Sequence, residues 1–431
     1  MCIRRSSISF AIAGVLIACW ANAALGQTSV TIPTSSIANP ADAGVRSHTN
    51  IQIKGLPSGV RAPNGGPPFS GYFFEDPASL ACIYGLLPAP RKDEGCNPND
   101  VSLGNPTGGS KAIAVVDAYD DPNAARDLAT FSSQFGVPAP TNFSVVFAPP
   151  GGGAPGSCVG SPSSTPPPAD PTGGWEIEES LDIEYAHAMA PHAKLYLVEA
   201  QSNLDSDLFC AVTLASNLVA AAGGGEVSMS FGSIEFPGET SIDQVFTVNK
   251  VVYFASSGDV PGVSYPAASP NVVSVGGSST DRDPVSGSFL FESTWQVAGG
   301  GPSAVEPRPT YQNQIRNVVY SSRGTPDVVL DANPETGVWV LDNFQCPISE
   351  CWYIVGGTSV SSPTFAGIVN AAGNFAASST AELNTLYGDP DGAFNNIKTG
   401  SCGPYAGYSA SNNWGFCTGL GSPDGYLNQK R

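Results

Sequence analysis

Short runs that are apolar or small almost throughout, alternating with helical patterns, constrain this chain more than any other feature. The runs fall at Ala112–Val116, Ser144–Phe147, Lys194–Val198, Val227–Phe231, Val251–Ala255, Val272–Val275 and Asp327–Leu330, and helical patterns at 176–190, 204–222 and 240–249 separate several of them. A strand without a polar side has no face to offer to water, so it predicts burial on both faces. Strands alternating with helices predict an α/β fold, a parallel sheet with helices on both faces. The first run ends in Asp117 and is followed by Asp120-Asp121-Pro122, which predicts a helix capped by Asp with Pro in its first turn. No repeat of fixed period interrupts the pattern, so one large domain over 71–428 is the economical reading. The 49 Gly and 38 Pro predict long Gly/Pro-rich loops on that scaffold, the stretch 149–174 among them. Residues 27–70 are rich in Ser, Pro, Gly and Asn without sustained periodicity and read as a linker or arm.

Residues 1–26 read as a signal peptide. Arg4 and Arg5 form a basic start, Ser6–Ala18 an apolar run, and Ala21-Asn22-Ala23 a small-x-small site. Cutting after Ala23 and cutting after Gly26 both fit. The run is too short for a membrane span and no second one follows. A rival reading takes Leu16-Ile17-Ala18-Cys19 as a lipoprotein box that leaves Cys19 as a lipid anchor; plain secretion is the favoured one. Apart from Cys2 and Cys19, the cysteines are Cys82, Cys96, Cys158, Cys210, Cys346, Cys351, Cys402 and Cys417. An even set behind a signal peptide reads as disulfides, and sequential pairing is the simplest arrangement. The 37 Asp+Glu against 18 Lys+Arg, with no basic cluster, exclude nucleic acid and anionic membrane as partners.

In Gly356-Gly357-Thr358-Ser359-Val360-Ser361-Ser362-Pro363 an apolar strand (Trp352–Val355) runs through glycines into the helical pattern Thr364–Ala372. That turn puts Ser359 at a helix N-terminus, where free N–H groups favour developing negative charge. Taken alone, Ser-Val-Ser-Ser fits an N-cap better than a nucleophile. A nucleophilic serine needs a base, and the three histidines (His48, His187, His192) lie in no His-Gly-Thr-His context, which argues against a histidine triad. Carboxylates offer a substitute. Glu178 and Asp182 stand four apart on one helix face, where two acids share a proton instead of both ionising. Glu178 can then take the proton of Ser359 while Asp182 orients Glu178; as a bare pair of acids they fit a solvated face. Asp259, in Ser256-Ser257-Gly258-Asp259 at the end of the strand Val251–Ala255, lies where α/β sites collect. Protonated, it can donate to an oxyanion; as an isolated residue it fits a turn.

These residues together resemble the sedolisin family of serine-carboxyl peptidases. The matching stretches are 178–195, 227–232, 253–259, 265–278, 326–338 and 356–368, with 113–131 similar to the family's first strand and helix. The resemblance implies a subtilisin-like fold, Ser359 as nucleophile, Glu178 as general base and Asp182 as its partner. It also implies that Asp259 shares the oxyanion hole with the Ser359 N–H. The expected protein is a secreted, monomeric endopeptidase acting on protein or peptide substrates at roughly pH 3–5, where a carboxylate base and a carboxylic acid donor coexist. An inactive secreted binding protein and a tripeptidyl exopeptidase are the alternatives.

Two departures from the family's pattern stand out. Residues 27–70 are too short for the family's long prosegment. The family's calcium site uses two aspartates, and here Asn396 and Gly415 stand at those positions. No cofactor is therefore expected, because a site without carboxylates holds Ca²⁺ poorly, and a Cys402–Cys417 bridge is expected to staple the same segments.

Overall fold

The computed structural model describes residues 29–55, 66–87, 95–152, 158, 161–388, 393–404 and 407–426. The signal-peptide reading of 1–26, with Cys19, lies outside these residues. In the strand Ala112–Ala118 every residue is buried. Ala112, Ala114, Val116 and Ala118 join a cluster with Leu208, Ala211 and Val212 of the helix Asp205–Ala221. Ile113 and Val115 meet Ile183 and Ala186 of the helix Gly174–Met189 on the other side. Successive side chains of a strand point to opposite faces, so this run is apolar throughout because both faces are covered.

The sheet has eight strands. Its path runs 289–294, 273–282, 251–256, 225–229, 112–118, 194–200, 143–147, with 328–331 also paired to 273–282. Every pairing is parallel except that of 289–294 with 273–282, which is antiparallel. The runs from Ala112–Val116 to Asp327–Leu330 all lie in it, though the strand expected at Val272–Val275 continues to Arg282; the strand expected at Trp352–Val355 pairs instead in a separate four-stranded sheet.

Two local expectations differ. The pattern at 240–249 forms only 3₁₀ turns, Glu239–Ser241 and Asp243–Phe246. Its Ile242, Val245, Thr247 and Val248 are β-branched and stiff at χ1, which disfavours a longer α-helix. Asp121 does not cap the next helix: its Oδ1 accepts the Asn123 N–H at 2.9 Å, closing a turn ahead of the helix Ala124–Phe135.

The stretch read as an arm is, over residues 29–55, part of the fold. Gln52–Lys54 pairs antiparallel with the strand Trp352–Gly356, and Val30–Thr31 pairs with Gln52–Lys54. His48–Thr49 pairs with Phe231–Ile234. Strands of two or three residues are too short to carry a period, and their partners lie far away along the chain. Four disulfides, Cys82–Cys96, Cys158–Cys210, Cys346–Cys351 and Cys402–Cys417, follow the sequential order. No described helix is long and apolar enough to cross a membrane.

Candidate active site

The strand Trp352–Gly356 turns at Gly357 into the helix Thr358–Ala372, which begins earlier than the sequence pattern suggests and puts Ser359 in its first turn. Gly357 has φ +116°, and a Cβ there would stand 2.0 Å from the Asn50 carbonyl oxygen and 2.6 Å from Asp259 Oδ2. Only glycine lets the backbone pass that close. Pro363, inside the helix, has no N–H for the Ser359 carbonyl four residues back. The Ser230 hydroxyl lies 3.4 Å from that carbonyl instead.

Glu178 and Asp182 share one face of the helix Gly174–Met189, and Asp117 extends the strand positions Ile113 and Val115 toward the same helix. All three carboxyls and Ser359 are fully buried, and Asp259 is buried beside them. Ser230 links two members: its hydroxyl donates to Asp182 Oδ1 at 2.7 Å, and its carbonyl accepts the Ser359 hydroxyl at 3.1 Å. Asp259 Oδ1 accepts the Thr358 N–H at 2.8 Å and the Thr358 hydroxyl at 3.0 Å, leaving Oδ2 without a partner. The Ser359 N–H donates to the Asn50 carbonyl at 3.2 Å. Glu178 makes no hydrogen bond of good geometry through either oxygen, yet the Ser359 hydroxyl is near enough to favour its charged form.

Burial governs the electrostatics. It pushes Glu178 well above the ordinary carboxyl range, and the negative neighbours Asp182, Asp117 and Asp259 add to the shift. Burial and then Asp117 raise Asp182, opposed by the Ser230 hydroxyl. Asp259 is raised to about 7 by burial, against the two bonds from Thr358, and Asp117 to about 8 by burial. A carboxyl raised in the folded state stabilises the fold fully below its unfolded value and loses that contribution as pH climbs through the folded one. For Asp259 and Asp117 the window runs from about pH 4 to about pH 8. Thermal unfolding is therefore expected to show Tm falling by several degrees from pH 4 to pH 8; a Tm that rises over that interval contradicts the burial of protonated acids.

All four residues singled out from sequence (Ser359, Glu178, Asp182, Asp259) thus come together at one helix N-terminus. The histidines stay out of it: His187 Nε2 meets the Pro138 carbonyl at 2.7 Å, and His48 Nδ1 the Thr49 carbonyl at 3.0 Å. Sequence reasoning missed Asp117, Thr358, Ser230 and Asn50 as neighbours of these four. For Asp117 the signal was present, since period-two alternation sends it to the side of Ile113 and Val115; the other three carry none. At the calcium positions the Asn396 amide donates to the Asn412 carbonyl, and Gly415 forms a bridge with Gly419. Neither supplies a carboxylate, and no cluster of three or more His, Cys, Asp or Glu among the described residues could hold a metal. The residues present do not fit that ion.

No protein-family model matches the chain. Kumamolisin of Bacillus sp. (strain MN-32) is 31% identical over 354 residues, covering 74% of this chain and 59% of its own length. The chain belongs to the sedolisin family. It spans less than two thirds of the kumamolisin it matches. Tripeptidyl-peptidase 1 of Homo sapiens is 37% identical over 123 residues, 25% of this chain and 20% of that one. The solved structure of Pseudomonas sedolisin, a serine-carboxyl proteinase complexed with two molecules of pseudo-iodotyrostatin, superposes with TM-score 0.62 at 22% identity, covering 82% of this chain and 96% of that one. At that identity the likeness speaks for the subtilisin-like fold alone.

Proposed function

We propose that this protein is a secreted serine-carboxyl endopeptidase that hydrolyses peptide bonds in acid. The observation that carries the reading is the meeting of Ser359, Glu178, Asp182 and Asp259 around the first turn of one helix. Ser359 Oγ attacks the scissile carbonyl carbon and its proton passes to Glu178, whose neighbour on the same helix face, Asp182, is anchored by the Ser230 hydroxyl. The oxyanion lies between the Ser359 N–H and the protonated Asp259. Glu178 then protonates the leaving amine, and water releases the acyl group from Ser359. Four disulfides suit an oxidising, extracellular compartment. Casein cleavage near pH 4 by the wild type, absent in a folded Ser359→Ala variant, is the test; equal rates in the two remove the reading. The similarity to tripeptidyl-peptidase 1 favours a second reading, removal of tripeptides. Blocking a peptide's N-terminus separates them, because only an endopeptidase still cuts the blocked peptide.

The family's calcium is proposed to be absent, with Cys402–Cys417 stapling the region instead. A bridge closing 15 residues contributes about 3 kcal/mol. Chelator is expected to leave Tm unchanged, whereas Cys402→Ser with Cys417→Ser lowers it. A large Tm gain on adding Ca²⁺ contradicts this.

A further inference from the structure

Asn50 touches the site twice, once with its main chain and once with its side chain. Its carbonyl accepts the Ser359 N–H at 3.2 Å, and a Cβ at Gly357 would touch both that oxygen and the unpartnered Asp259 Oδ2. The oxygen therefore stands between a backbone N–H and a carboxyl, where a scissile carbonyl oxygen belongs. The chain reaches this point as an added strand. His48–Thr49 runs antiparallel to Phe231–Ile234, with Thr49 opposite Phe231, which is how an extended peptide docks on a sheet edge. Main-chain geometry sets the rest: any residue with its carbonyl there sends its side chain the way Asn50 does. The Asn50 side chain thus fills the pocket for the residue on the acyl side of a substrate's scissile bond.

That pocket is polar. Asn50 is fully buried, and its Nδ2 donates to Ser256 Oγ at 2.7 Å. Ser256 ends the strand Val251–Ser256 and is itself fully buried. The adjoining hydroxyls are engaged elsewhere: Ser257 Oγ donates to the Gly299 carbonyl at 2.8 Å, and Thr358 Oγ1 accepts the Gly258 N–H at 3.0 Å. A buried hydroxyl without a partner costs free energy, so an apolar side chain in this pocket strands Ser256. A carboxylate fares no better. Asn50 Oδ1 finds no donor, so a charged oxygen placed there has nothing to accept from, in a site that already buries four acids.

We propose that Ser256 is a specificity-determining residue, and that the peptidase cuts after asparagine in preference to apolar or acidic residues. The proposal rests on the peptidase reading above and narrows its substrate class. A substrate takes the place of Asn50 at Ser359; its asparagine amide donates to Ser256 Oγ while its carbonyl oxygen enters the oxyanion position.

The test uses the full chain, wild type and folded Ser256→Ala. Bonds cut near pH 4 in a peptide mixture of known sequence are mapped by mass spectrometry. Then kcat/KM is measured on four peptides that differ only in having Asn, Ala, Leu or Asp before the cut. For the wild type, asparagine is expected to be enriched before the mapped bonds, with kcat/KM for Asn above each of the other three by about tenfold or more. In Ser256→Ala the ratio of Asn to Leu is expected to fall by about tenfold. A serine needed only for the fold would lower all four rates together and leave that ratio where it was. An unchanged ratio in the variant overturns the proposal and spares the peptidase reading. So does a wild type that cuts after Leu as well as after Asn, a result that needs no variant to fold. Cutting of no peptide at any acid pH overturns both.

Discussion

Ser359→Ala is expected to lower kcat for peptide hydrolysis near pH 4 by about 10⁶-fold, the scale at which a peptidase loses its nucleophile. The effect is large because nothing nearby replaces the hydroxyl. Of the neighbouring hydroxyls, that of Ser230 is spent on Asp182 at 2.7 Å and that of Thr358 on Asp259 at 3.0 Å. The variant should fold, since the side chain makes a single hydrogen bond, to the Ser230 carbonyl at 3.1 Å. Glu178→Gln belongs to the same prediction. It keeps the shape and removes the base, so it is expected to lose nearly as much as Ser359→Ala, and the double variant little more. Residues acting as one unit are not additive. Loss of less than about tenfold in Glu178→Gln would assign the base elsewhere, with Asp117 the first candidate.

Asp259 carries the second large effect, and here pH separates the roles. Asp259→Ala removes one oxyanion donor and is expected to cost about 10²–10³ in kcat. Asp259→Asn is expected to retain activity within about tenfold near pH 4. Its Oδ1 still accepts the Thr358 N–H and hydroxyl, and its amide donates where the protonated Oδ2 did. The wild-type rate should fall as pH climbs through about 7, where Asp259 loses its proton; in Asp259→Asn that limb should vanish or move upward. The acid limb belongs to Glu178 and Asp182 as a pair. Both are raised by burial and by their negative neighbours while the site is covered, and admitting substrate and water lowers them toward the ordinary carboxyl range. A wild type equally active at pH 8 and pH 4, or an Asn variant as poor as the Ala one, contradicts the role of Asp259 as donor.

Much of the central sheet was legible because a doubly covered strand writes itself into the sequence as an unbroken apolar run, as Ala112–Val116 shows. Ser359 was legible through the glycines that its turn demands, and Glu178 with Asp182 through helical spacing. The arm was not: in 29–55 the strand Gln52–Lys54 is ordered by Trp352–Gly356 and in turn carries Val30–Thr31, and local pattern holds no trace of the distant partner on which both depend. The expected helix at 240–249 erred in the other direction, since apolar spacing there was read without the cost of its β-branched residues.

The amino-acid order by itself determined which side chains can do acid-assisted nucleophilic chemistry and on which local elements they ride. That information is short-range, carried by strand and helix periods and by glycine's freedom at one turn. Only the tertiary structure decided that Ser359, Glu178, Asp182 and Asp259 share one buried place, and that Asn50 is laid across it. Proximity between residues so far apart along the chain comes from packing, and it is the same packing that strips water from these carboxyls and sets the pH at which they hold their protons.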